Sequence, residues 1–99
     1  MHNVALLVIL EAKAGKQEEL AAFLKSALPL AVQEPATLSW FSFRIDSSRF
    51  GIFDTFADES GRNAHLNGEI AKALFARAEE LLASAPQIER LEILAAKSN

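Results

Sequence analysis

The chain contains no cysteine among its 99 residues. Without thiols it can form neither a disulfide framework nor a thiolate metal site. Absence of cysteine also fits a reducing compartment, so we expect a cytoplasmic protein. No pair of histidines with carboxylates has the spacing of metal ligands, so the sequence predicts no zinc or non-haem iron site.

Long apolar runs and clusters of like charge are also lacking. The longest apolar run, residues 4–10, is far shorter than the roughly 20 residues of a membrane span, and it lacks the flanks of a signal peptide. The net charge is −3 with both signs interspersed, which disfavours a nucleic-acid patch. There is no phosphate-binding loop, dinucleotide fingerprint or serine nucleophile elbow. We expect one domain over residues 1–99, with neither membrane nor nucleic acid as a partner.

Aromatic residues are concentrated in residues 38–66, which hold five of the seven phenylalanines and the one tryptophan. This stretch reads as a hairpin that turns at residues 46–49, where Asp and Ser side chains can bond their own backbone. With a two- or four-residue loop, one face holds Asp54 among apolar side chains, namely Phe41, Phe43, Ile45, Phe50, Ile52 and Phe56. The other face then holds Trp40 and Phe53. A three-residue loop would shift the register and scramble these faces.

Hydrophobic spacing and turn residues divide the rest of the chain into helices and strands. Pro29 should kink or end the first helix, and Asp58 is a good N-cap for the short one. The predicted elements are a strand over residues 4–10, a helix over 17–33, the hairpin over 37–57, a short helix over 59–66, a longer helix ending near 83, and a strand over 87–95.

This order predicts an α+β fold of the ferredoxin-like βαββαβ type, with a four-stranded antiparallel sheet and helices on one face. The first strand is apolar on both sides, and such strands are usually buried on both faces. Because the helices cover one face, another copy of the chain is the simplest cover for the second. We therefore expect a homodimer through the sheet faces, with Trp40 and Phe53 in the interface.

The order of elements, the length and residues 50–66 (FGIFDTFADESGRNAHL) together resemble the antibiotic biosynthesis monooxygenase domain family. The likeness covers nearly the whole chain and includes the strand LSWFSFR and the acidic turn that leads to His65. It implies a dimeric α+β barrel. Because this superfamily shares a fold more widely than a reaction, the resemblance constrains the fold more than the activity.

Members of that family include quinone-forming oxygenases that need neither metal nor flavin, haem-degrading enzymes, and proteins without demonstrated activity. The haem-degrading branch uses a histidine on the second long helix, and residues 71–78 contain none. Phe56 stands where many members have a tryptophan. The resemblance implies a monooxygenase for a small aromatic or polyphenolic substrate, with molecular oxygen as co-substrate and no cofactor. The alternatives are a non-catalytic dimeric module for a small hydrophobic ligand, and an isomerase or cyclase.

His65 and Asp54 are the candidate catalytic residues. His65 matches the family's histidine, and an imidazole can accept a phenolic proton near neutral pH; alternatively it only holds the helix junction. Asp54 lies on the aromatic face, where a carboxylate can act as a base or substrate anchor. Its alternative is a salt bridge to Arg62 or Arg44, or a position that water reaches at the sheet end.

The candidates for substrate binding are three aromatic and two amide side chains: Phe41, Phe43, Phe56, Asn63 and Asn67. The phenylalanines would line an apolar pocket, and they are equally suited to a core. The two asparagines flank His65 and would donate to a substrate oxygen, or else cap helix ends.

Overall fold

The computed structural model describes residues 1–97, so residues 98 and 99 of the predicted domain lie outside the described part. The elements are β1 (Val4–Glu11), α1 (Gln17–Ser26), α2 (Leu28–Val32), β2 (Thr37–Arg44), β3 (Arg49–Phe56), α3 (Glu59–Leu66), α4 (Glu69–Leu81) and β4 (Gln87–Glu92). The strands form an antiparallel sheet in the order β2-β3-β1-β4. This confirms the predicted ferredoxin-like α+β fold. Over residues 1–97, no helix has the length and apolar character that crossing a membrane requires.

Local sequence signals set the helix boundaries. Pro29 falls in the first turn of α2, where its missing amide is tolerated, so the predicted long helix divides at Ala27. The carboxylate of Asp58 accepts a hydrogen bond from the Gly61 amide at 3.0 Å, which confirms the predicted N-cap of α3.

The β2–β3 hairpin has a three-residue loop, so the predicted register is wrong. The Asp46 carboxylate accepts hydrogen bonds from the backbone amides of Ser48 and Arg49, at 3.1 and 2.8 Å, across this loop. The Ile45 amide donates to the Arg49 carbonyl at 2.8 Å and closes the hairpin. The resulting cross-strand pairs are Arg44 with Phe50, Phe43 with Gly51, Phe41 with Phe53, and Trp40 with Asp54.

This register places Phe41 and Phe43 on the uncovered face of the sheet and not under the helices as predicted. Phe41 is 58% exposed and pairs with Phe53, which does lie on the uncovered face. Trp40, expected on that face, instead lies under the helices and packs against the core. The reason is geometric, because a shift of one residue moves every side chain of a strand to the opposite face.

The core lies between the sheet and the helices, with one main cluster and one satellite. Trp40 contacts both. The main cluster comprises Val8, Leu10, Ala12, Leu20, Phe23, Leu24, Phe50, Ile52, Leu74, Leu81 and Leu82. The satellite joins α2 to α4 through Ala27, Ala31 and Ile70. Asp54 and Phe56 face this side of the sheet and are fully buried.

Candidate active site

Three titratable side chains from separate parts of the chain form a continuous row inside the fold. His65 Nε2 lies 2.8 Å from Asp54 Oδ2, and His65 Nδ1 lies 2.7 Å from Glu34 Oε1. The imidazole therefore stands between two carboxylates. The structure thus brings together the two catalytic candidates predicted from sequence and adds Glu34 to them.

The fold brings Asp54 and His65 together through the sheet and α3. Asp54 occupies an inward position of β3, across from Trp40 on one neighbouring strand and Leu6 on the other. His65 lies in the last turn of α3, and its ring centroid is 5.5 Å from that of Phe56. Phe56 therefore packs against the imidazole and lies on the face of the sheet where it was predicted.

Glu34 is the member of the row that was not predicted from the sequence. It lies between α2 and β2, and the Thr37 hydroxyl donates to its Oε1 at 2.8 Å. Its contact with His65 joins residues 31 positions apart. No local pattern predicts such a contact. The available signal was Glu34-Pro35 at the end of a helix, which indicates where the chain turns and not where the side chain points.

Asp54 has no exposed surface, and its carboxylate is poorly matched by its surroundings. Neither of its oxygens makes a well-formed hydrogen bond to the described residues, so the short approach of His65 is an ion-pair contact with poor N–H alignment. Neither predicted salt-bridge partner is used. Arg62 donates to backbone carbonyls of β1 and β4, and Arg44 reaches α1 instead.

Burial and mutual contact shift two pKa values in this row. Burial raises the pKa of Asp54 above its ordinary 3.8, and the neighbouring imidazole opposes that rise only in part. Burial lowers the pKa of His65, but the contacts with Asp54 and Glu34 outweigh it and raise this pKa above the ordinary 6.5. Because each of these two groups contributes to the shift of the other, Asp54 and His65 titrate as a coupled pair.

Two cavities meet at His65. An open cleft of about 340 Å³ lies between the α2–β2 connection and α3, and a narrow apolar cavity of about 30 Å³ lies between the sheet and α4. The cleft falls in the size range of small-molecule sites, whereas the inner cavity has room for roughly one water molecule. The cleft, with Glu34 and His65 among its lining residues, is therefore the candidate binding site.

None of the five predicted binding residues, Phe56 included, is among the residues that line the cleft in the described part of the chain. Phe41 and Phe43 are on the opposite side of the sheet. Asn67 donates its side-chain amide to the Asn63 carbonyl at 2.9 Å, so it caps the end of α3. Asn63 is exposed, and neither asparagine is among the residues that line the cleft or the inner cavity.

The row is not arranged as a metal site. The carboxylates of Asp54 and Glu34 contact different nitrogens of the same imidazole, so the three groups do not converge on one point. Over residues 1–97, no group of three or more His, Cys, Asp and Glu residues is placed to hold a metal ion. The geometry instead suits the movement and storage of protons.

Comparison with solved structures identifies a relative. NE2512, a protein of unknown function from Nitrosomonas europaea, is 56% identical to this chain, with a TM-score of 0.98 and an alignment that covers 100% of this chain and 96% of that one. No family model matches the sequence, and no curated protein shows significant similarity to it.

More distant structures share the fold. A candidate antibiotic biosynthesis monooxygenase from Nitrosomonas europaea is 14% identical over 98% of this chain and 95% of its own, with a TM-score of 0.85. Another, from Chloroflexus aurantiacus, is 17% identical over 97% of both chains, with a TM-score of 0.75. At these levels of sequence identity, structural similarity is evidence for a shared fold alone. The chain belongs to the same family as NE2512, and its fold is that of the antibiotic biosynthesis monooxygenase-like proteins.

Proposed function

We propose that the protein is a cofactor-independent monooxygenase that acts on a small aromatic or polyphenolic substrate bound in the cleft beside His65. The observation that carries this proposal is the row of Asp54, His65 and Glu34 at the edge of a cleft of about 340 Å³. Perturbed titratable groups beside a cavity of this size are typical of catalytic sites. The names of the distant structural neighbours are compatible with the same reaction class.

The first step is transfer of a phenolic proton to His65 in its neutral form, which lines the cleft and becomes an imidazolium between the carboxylates of Asp54 and Glu34. Asp54 is buried behind the imidazole and does not line the cleft, so its role is to hold and charge-balance His65. The substrate anion then carries electron density on a ring carbon. Where the keto form of the substrate has a ring CH₂ group, reaction with O₂ converts it to a carbonyl: one oxygen atom enters the product and the other leaves as water.

We also propose that the protein is a cytoplasmic homodimer through the uncovered sheet face. Phe41 and Phe43 stand on that face, 58% and 36% exposed, and Phe53 pairs with Phe41 beside them. An apolar surface of neighbouring aromatic side chains is typical of an interface between subunits. A dimer would complete the α+β barrel, and the cysteine-free sequence suits a reducing compartment.

Oxygen uptake by the purified protein tests the enzymatic proposal. With a panel of hydroquinones and anthrones, we expect uptake of one O₂ per substrate for at least one compound. His65→Gln should lower the rate by about 10²–10⁴, the range for loss of a general acid–base group. His2→Gln, which changes the other histidine, is the matched control and should retain the rate. No uptake with any compound would overturn the proposal.

The second candidate is a binding module without turnover. It is favoured by one observation: both nitrogens of His65 are already engaged by carboxylates, as in a histidine that only ties elements together. This function predicts that a bound aromatic ligand is recovered unchanged from aerated protein and that His65→Gln binds it as well as the wild type. Turnover that continues without oxygen would instead indicate an isomerase or cyclase.

A further inference from the structure

Glu34 lines the cleft and has one carboxylate oxygen to which no described residue donates a hydrogen bond. Its Oε1 accepts from Thr37 and contacts His65, while no described residue donates a hydrogen bond to Oε2. Oε2 faces Gly68, where a Cβ would lie 3.2 Å from it, so the absence of a side chain at residue 68 leaves room for this oxygen. The Glu34 side chain is 21% exposed, and a ligand in the cleft can therefore reach it.

The cleft is lined by more acidic than basic side chains. The titratable residues among them are Glu34, Glu69 and His65, and neither lysine nor arginine is among the lining residues found over residues 1–97. Glu69 is itself paired with Lys72 at 3.5 Å, with both side chains at least 70% exposed. Glu34, whose ion-pair partner among the described residues is His65 alone, is therefore the acidic lining residue best placed to receive a ligand cation.

We propose that this cleft selects small aromatic ligands that carry an ammonium group, which Glu34 Oε2 receives, and that it rejects ligands carrying a carboxylate. An ammonium donating to this oxygen forms a charge-assisted hydrogen bond, which is shorter and stronger than a neutral one. A ligand carboxylate at the same place would face an acceptor-only group, because the Thr37 hydroxyl already donates to Oε1. The inference rests on the proposed function, whose substrate site it shares, and it narrows the substrate class to amine-bearing phenols.

Calorimetric binding without oxygen tests the inference independently of turnover. The probes are three hydroquinones with the same side chain ending in an ammonium, a hydroxyl or a carboxylate. For the wild type we expect the ammonium compound to bind about tenfold more tightly than the hydroxyl compound, the size of effect that a hydrogen bond to a charged group gives. The carboxylate compound should bind most weakly.

Two variants assign the preference to Glu34. Glu34→Gln keeps the side-chain volume and the acceptor for Thr37 but removes the charge, so the preference for the ammonium compound should disappear. Glu79→Gln removes an exposed charge from α4, outside the residues that line the cleft, and should keep the preference.

The wild type alone can overturn the inference, so a folding defect in a variant does not weaken the test. Equal affinities, tighter binding of the carboxylate compound, or no binding of any probe would each contradict it. Preference that survives in Glu34→Gln would contradict the role of Glu34. Ammonium-selective binding without oxygen uptake would uphold this inference and overturn the monooxygenase proposal, so the two failures are distinguishable.

Discussion

Replacing His65 by glutamine measures how strongly the fold depends on the buried row. Glutamine retains a polar side chain but cannot carry the positive charge that faces Asp54. Asp54 has no exposed surface, and loss of one member of a buried ion pair typically costs about 3–5 kcal/mol. A domain of this size has only about 5–15 kcal/mol of unfolding free energy in total. We therefore expect a severely destabilised but measurable variant.

The loss of unfolding free energy in His65→Gln should depend on pH in a defined direction. Burial raises the pKa of Asp54 above 3.8, and the imidazole that opposes this rise is absent from the variant, so the pKa rises further. A raised pKa means that the native state holds the proton more tightly than the unfolded chain does. The unfolding free energy of His65→Gln should therefore fall as pH rises above 3.8 through the raised pKa, and its deficit should narrow in acid.

Urea unfolding followed by the fluorescence of Trp40, the one tryptophan, provides the assay. His2→Gln is the control, because it removes a histidine that lies outside the row. Asp54→Asn in the His65→Gln background should recover most of the lost stability, since Asp54 then leaves no carboxylate fully buried without a cation. The reasoning is refuted if His65→Gln loses no more stability than His2→Gln, or if the second substitution recovers nothing.

Three other features of the structure give further tests. Because the pKa of His65 is raised, its protonation stabilises the wild type fully below pH 6.5, and this stabilisation is lost as pH rises through the raised pKa. The loss is about 1.4 kcal/mol for each tenfold difference in proton affinity between the folded and unfolded states. A rise in unfolding free energy over that pH range would contradict this prediction. Asp58→Ala should cost about 1 kcal/mol by removing the N-cap of α3, and so lower the melting temperature by roughly 4–8 °C in a thermal scan. Phe41→Ser should convert the proposed dimer into a monomer in sedimentation velocity with unchanged circular dichroism, whereas a monomeric wild type at micromolar concentration would end the dimer proposal.

Elements that depend on local chemistry could be predicted from the sequence. The helix over residues 59–66 has the predicted bounds because Asp58 supplies a cap at its start and Asn67-Gly68 ends it. The order of strands and helices then leads to the ferredoxin-like sheet through rules on chain connections that do not depend on side-chain detail. Burial of Asp54 under the helices was predicted as well, despite the wrong hairpin register, because Asp54 keeps the parity of Phe50 and Ile52 on its own strand.

Features that depend on one residue more or less in a loop, or on contacts between distant segments, could not be predicted. The Asp46 side chain bonds two backbone amides, which suits a three-residue loop, but its identity alone is compatible with several loop lengths. The resulting shift exchanged Phe41 and Trp40 between the faces. Glu34 was missed because its position beside His65 depends on how α2 packs against α4 and β2, and no sequence pattern specifies that packing.

The observed hairpin register also bears on why the row of Asp54, His65 and Glu34 is present in this fold. Trp40, now directly across from Asp54, has a buried indole N–H for which the described residues supply no partner, and the carboxylate beside it is likewise poorly matched. Replacing a buried ion pair by well-packed apolar residues is often neutral or stabilising. The neighbouring cluster of Ala27, Ala31 and Ile70 shows that apolar contacts alone join α2 to α4. A small domain has a low free energy of unfolding, and a buried polar group without a partner lowers it further. Stability alone therefore gives a weak account of Asp54 and His65, and proton chemistry or ligand recognition at the adjoining cleft gives a better one.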